Sequence, residues 1–101
     1  MDRFGKSALA DTVDEDLQVH EITNKCDYAV EVMVEPIPDR YILRQDDEMR
    51  LQLKTKSGTG LTINLYDRHV QIYCGWETEP EVRINGEIAE PDWETPLPAP
   101  K

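Results

Sequence analysis

YAVEVMVEPIPDRYIL (28–43) alternates cleanly for its first seven residues and then breaks at Glu35-Pro36. A period of two sends Tyr28, Val30, Val32 and Val34 to one side and Ala29, Glu31 and Met33 to the other. That is the pattern of a half-buried β-strand. Proline has no N–H to donate to a ladder, and it drives the residue before it toward extended geometry. Pro36 therefore ends the strand while keeping Glu35 extended. Pro38 stiffens the link into Asp39-Arg40, and a second strand over 40–44 returns Tyr41 and Leu43 to the core. The stretch predicts a rigid corner between two strands. It leaves Glu35, Asp39 and Arg40 as polar residues on a fixed loop, a common setting for binding residues.

Outward from this corner the same period recurs. Residues 17–23, LQVHEIT, form a strand of imperfect alternation, which predicts an edge or a bulge. Residues 48–56 alternate Met49, Leu51 and Leu53 against Arg50, Gln52 and Lys54. Residues 60–66 alternate Leu61, Ile63 and Leu65 against Thr62, Asn64 and Tyr66. Residues 69–76 alternate Val70, Ile72 and Cys74 against Gln71 and Tyr73. Strands 81–84 and 87–90 flank Asn85-Gly86, a type I′ hairpin signal in which both central residues take positive φ. The turn at 45–48, QDDE, carries Asp side chains that bond their own backbone. Trp76 follows a strand and a glycine, and is expected to close one end of the core.

Seven to eight short strands with turn chemistry between them predict one all-β domain, an antiparallel β-sandwich or small barrel. It spans 17–90, between an irregular acidic segment at 1–16 and a Pro-rich tail at 91–101. The expected core is Val30, Val32, Val34, Tyr41, Leu43, Leu51, Leu53, Leu61, Ile63, Leu65, Val70, Ile72 and Val82. Four prolines in the last eleven residues keep the tail out of a sheet. Trp93, within that tail, either folds back onto the domain or waits for a partner groove.

The net charge is −10, and it sits at the ends. Residues 1–16 hold five acids and two bases, 17–76 nine and seven, and 77–101 seven and two. This balance argues against nucleic acid or an anionic membrane as partner, since both select basic surfaces. No apolar run has the length of a membrane span or the placing of a signal-peptide core, so the expected location is cytoplasmic. Cys26 and Cys74 are then expected as free, buried thiols, although their parity alone also permits a bridge across a sandwich. Two isolated histidines, His20 and His69, make a poor metal site. The acidic runs at 14–16 and 46–48 lack the spaced ligands and glycine of a calcium loop. No cofactor or metal is expected. Phosphate-binding glycine loops, nucleophile elbows and zinc-protease motifs are absent, so no enzyme is expected.

The polar strand faces carry the functional expectation. Glu31 and Glu35 lie on one, Arg50, Gln52, Lys54 and Lys56 on another, and Arg40 and Arg44 share the non-core parity of 40–44. Were these strands neighbours in a meander, opposite charges would meet across them and favour the register. The same residues also compose a mixed-charge face, from Arg40, Arg44, Arg50 and Lys54, suited to an acidic peptide. The leading expectation is a non-enzymatic protein or peptide interaction module, monomeric or weakly dimeric. Its binding residues would be drawn from Glu35, Asp39, Arg40, Arg44, Arg50, Lys54, Tyr66, Tyr73 and Trp93. One alternative is a small-ligand or carbohydrate-binding β-domain using Tyr66 and Tyr73. Another is an acidic inhibitor or immunity-like protein.

Asn24, Val34-Glu35-Pro36, Tyr41-Ile42-Leu43 and the turn Gln45-Asp46-Asp47-Glu48 together form a recognisable order. About a third of the chain in this way resembles a group of small uncharacterised bacterial proteins. Those proteins commonly carry Pro-Gly where this chain has Asp46-Asp47. The resemblance implies a compact β-sandwich and brings no activity with it.

Overall fold

The computed structural model describes residues 15–36, 38–56, 61–75 and 80–97. It is all-β, with eight strands in two sheets and no closed barrel. The strands are β1 (Glu15–Thr23), β2 (Val30–Glu35), β3 (Asp39–Leu43), β4 (Glu48–Lys56), β5 (Thr62–Leu65), β6 (His69–Tyr73), β7 (Glu81–Ile84) and β8 (Glu87–Ile88). The first sheet runs β1-β4-β7-β8 and the second β3-β2-β6-β5. Pairing is antiparallel except between β2 and β6, which run parallel. That seam joins the β2–β3 and β5–β6 hairpins into one sheet, with Val32 beside Val70 and Val34 beside Ile72.

The inner faces supply the core: Val32, Val34, Tyr41 and Leu43 meet Met49, Leu51, Leu53, Val70, Ile72, Cys74 and Val82. Fully burying an aliphatic side chain of this size contributes about 1.5–3 kcal/mol. Val30 and Leu61 are partly buried against this cluster. Two expected core residues are not in it. Ile63 is 45% exposed and Leu65 76%. Both have inward parity opposite Ile72 and Val70, but β5 is the outer strand of its sheet and they stay uncovered. Ile42, on the parity opposite Tyr41 and Leu43, is nonetheless buried.

The corner at 36–38 links β2 to its antiparallel neighbour β3, with Val34 opposite Asp39. Pro36 follows the last residue of β2 through a cis peptide. Asn85 and Gly86 both take positive φ in the β7–β8 turn, as the hairpin signal requires. Nothing lies near a Cβ built on Gly86, so backbone conformation alone selects glycine there. The expected meander of 28–34 beside 48–56 does not form. Residues 44–47 carry the chain from the second sheet to the first, so β2 and β4 lie in different sheets. Strand β1 is a continuous edge ladder on β4 with no bulge, and places Gln18, His20 and Ile22 opposite Leu53, Leu51 and Met49.

Asn24 ties the two sheets together where β1 ends. Its side chain is buried, and its Nδ2 donates to the Tyr28 and Leu43 carbonyls at 2.8 and 2.9 Å. Its Oδ1 accepts from the Cys26 N–H at 2.9 Å. Cys26 and Cys74 are both free thiols. Trp76 and residues 1–14 of the segment 1–16 expected to be irregular lie outside the described residues, whereas Glu15 and Asp16 of that segment belong to β1.

Candidate functional site

The outer face of the second sheet is a lattice of hydrogen-bonded side chains. Registers place Ile42, Glu31 and His69 in one row, Arg40, Met33, Gln71 and Asn64 in the next, and Glu35, Tyr73 and Thr62 in a third. Glu31 bonds Arg40 through one carboxylate oxygen and His69 Nδ1, at 2.6 Å, through the other. Burial pushes the Glu31 carboxyl up, but hydrogen bonds from Arg40 and His69 and their charges outweigh it. The net shift is downward. Gln71 donates to Glu35 and accepts from Asn64 at 3.0 Å. The Tyr66 ring lies 5.4 Å from the His69 ring. Both outward glutamates are thus engaged within the sheet, rather than standing as a row of open negative charge.

Arg40 also anchors Asp92, beyond the last strand. Its Nη1 donates to the Asp92 carbonyl at 3.0 Å, and the Asp92 N–H donates to the Arg40 carbonyl. Asp92 is itself held in a tight turn by the Thr95 hydroxyl and the N–H groups of Glu94 and Thr95. Those bonds bring its carboxyl down to about 2. Asp92 therefore docks on the outer edge of β3, and residues 91–97 form no strand there. The residue that pins this segment is Asp92, while Trp93 stays exposed.

The expected binding residues divide between the two sides of the sandwich. Glu35, Arg40, Tyr66 and Tyr73 belong to the outer face of the second sheet. Arg50 and Lys54 stand exposed on the outer face of the first, opposite in parity to Leu51 and Leu53. Arg44 is exposed in the link between sheets, its N–H bonded to Asp47 Oδ2. Asp39 is half-buried at the start of β3. No single mixed-charge face contains Arg40, Arg44, Arg50 and Lys54, because the chain changes sheets between Arg40 and Arg50. Tyr66 and Tyr73 are not side by side either. Tyr73 pairs with Thr62, four residues along from Tyr66, which is about 14 Å on an antiparallel strand.

The β5 edge, whose alternation predicts a core strand, is exposed. All four residues of β5 are exposed, and none is charged. With Tyr66 and Tyr73, Ile63 and Leu65 make up half of the exposed large hydrophobics among the described residues. Ile63 and Leu65 lie on the inward face of this edge, and Tyr66 and Tyr73 on the outer face of the same sheet. The other sheet edges differ: β3 is bonded by Asp92, β8 is two residues long, and β1, which exposes Leu17 and Val19, carries Glu15, Asp16 and Glu21 in its sequence. Nothing in the alternation of 60–66 distinguishes it from the core strand 48–56, so no sequence signal marked this edge.

No protein family matches the chain, and no curated protein or solved structure matches it.

Proposed function

We propose that this chain is a non-enzymatic protein-interaction module that takes an extended protein segment onto the outer edge of β5. The observation that carries this reading is an uncharged edge strand whose inward-facing Ile63 and Leu65 are left uncovered. In strand addition, backbone hydrogen bonds provide affinity and alternate side chains provide specificity. The β5 backbone alternates in a way that suits it. The Tyr66 N–H bonds the His69 carbonyl, so Tyr66, Asn64 and Thr62 direct their backbone groups toward β6. Ile63 and Leu65 direct theirs to the open edge. A docked strand would satisfy them and cover both apolar side chains. Tyr66 and Tyr73 beside the edge supply aromatic contact area, and the bonded network behind them holds the sheet rigid.

The test is selection of displayed extended peptides on immobilised wild-type chain and on Leu65→Lys. Peptides of alternating apolar pattern that bind the wild type and not the variant are expected. Failure to enrich any peptide, or enrichment indifferent to Leu65→Lys, would overturn the reading. So would binding of glycans on an array with loss in Tyr66→Ala and Tyr73→Ala, which places the site on the sheet face.

A further inference from the structure

We infer that the segment seated on β5 is the β5 strand of a second copy of this chain, paired antiparallel about a two-fold axis at Asn64. This inference rests on the reading of β5 as a docking edge and names its occupant.

Register fixes which residues can meet. In a continuous sheet, residues directly opposite one another share a face. Inward-facing Ile63 must therefore meet an inward-facing residue of the other copy. An axis at Asn64 sets Ile63 opposite Leu65, Asn64 opposite Asn64, and Leu65 opposite Ile63, and uses the whole of β5. Ile63 and Leu65 are the residues whose N–H and C=O point to the open edge. Each Ile63–Leu65 pair then exchanges two backbone hydrogen bonds, four in all by symmetry. The two pairs also bring together the apolar side chains that sheet packing leaves exposed. On the outer face, Tyr66 comes to lie opposite Thr62, and two Asn64 amides, each donor and acceptor, face one another.

Charge selects the edge at which two copies can meet. Each chain carries a net charge of −10, so two copies repel overall and an uncharged surface is the least unfavourable place for them to meet. Strand β5 has no charged residue, whereas a β1–β1 pairing would bring acidic strands together. A self-complementary patch on a closed two-fold axis leaves no second edge open for further growth of this sheet. Four residues per copy form a small interface, at the low end of specific association. The dimer is accordingly weak, with a Kd of roughly micromolar or above.

The experiment is sedimentation equilibrium of the full chain over a wide concentration range, paired with disulfide trapping. The wild type is expected to pass from monomer to dimer. Leu65→Lys should weaken the association at least roughly tenfold, by introducing an edge lysine. Its fold is checked by far-UV circular dichroism. In a Cys26→Ser background, Asn64→Cys should crosslink on oxidation, because its Cα lies about 4.5 Å from its symmetry mate. Thr62→Cys should not, because its mate lies far along the strand. A chain that stays monomeric throughout, a dimer indifferent to Leu65→Lys, or equal crosslinking by both cysteine variants overturns the inference. If the chain stays monomeric while β5 still takes displayed peptides, the inference falls and the docking-edge reading stands. If neither a copy nor a peptide docks on β5, both fall.

Discussion

Asn24 Nδ2 donates to the Leu43 carbonyl at 2.9 Å, and so fastens the end of β1 in one sheet to the end of β3 in the other. The same amide group also reaches Tyr28, and the carbonyl oxygen accepts from Cys26. A buried amide with three satisfied bonds costs far more to delete than to keep, because its partners are left unpaired. Asn24→Ala is expected to lose roughly 2–4 kcal/mol of unfolding free energy in urea titrations. Asn24→Asp should do no better, since a carboxylate cannot donate to two carbonyls. A loss within about 0.5 kcal/mol would show that solvent replaces the amide.

The stability that Glu31 contributes depends on pH. Its carboxyl is held below the ordinary 4.5, because the bonds and charges of Arg40 and His69 outweigh the effect of burial. A depressed folded-state value means that the unfolded chain binds the proton more readily. The stabilisation is therefore complete above the unfolded value and is lost as pH falls through the folded one. Glu31→Gln should be less stable than wild type at pH 7, and the gap should close as the wild type is acidified below 4.5. Chemical denaturation at stepped pH measures this, and a gap independent of pH counts against it.

Leu51 and Leu65 occupy similar alternating patterns but should respond very differently to truncation. Leu51 is buried between the sheets, so Leu51→Ala should cost about 3–5 kcal/mol through lost transfer energy and the cavity left behind. Leu65→Ala should change monomer stability by less than about 0.5 kcal/mol. Thermal melts of dilute protein, where association is minimal, separate the two.

Cys74 lies in the core, and burial pushes its thiol up to about 11. Thiolate is the reactive form, so Cys74 should resist an aromatic disulfide reagent at pH 8 while the chain is folded. Half-buried Cys26 should react first. One thiol titrating in native buffer and two in denaturant is the expected result. Rapid native labelling of both would contradict it.

Much of the architecture is legible in the chain. The strand breaks at Pro36 and Asn85-Gly86 follow from backbone chemistry, and the inward valines of 30–34 follow from a period of two. Glu35 and Arg40 stand out for the same local reasons, and both take part in the bonded outer face. Glu31 and His69 were legible only as outward residues. Their meeting requires β6 to lie parallel beside β2, across more than thirty residues of intervening chain.

What the sequence by itself determined is local: which segments are strands, which side chains share a face, and which turns are tight. These depend on dihedral preferences and periodicity over a few residues. Only the tertiary structure decided which faces are covered. Leu51 and Leu53 have a sheet over them, whereas Ile63 and Leu65, spaced just as regularly, sit on an outermost strand. Alternation specifies direction, and coverage depends on how far the opposite sheet extends. That long-range property turns β5 from an expected core strand into the proposed docking edge.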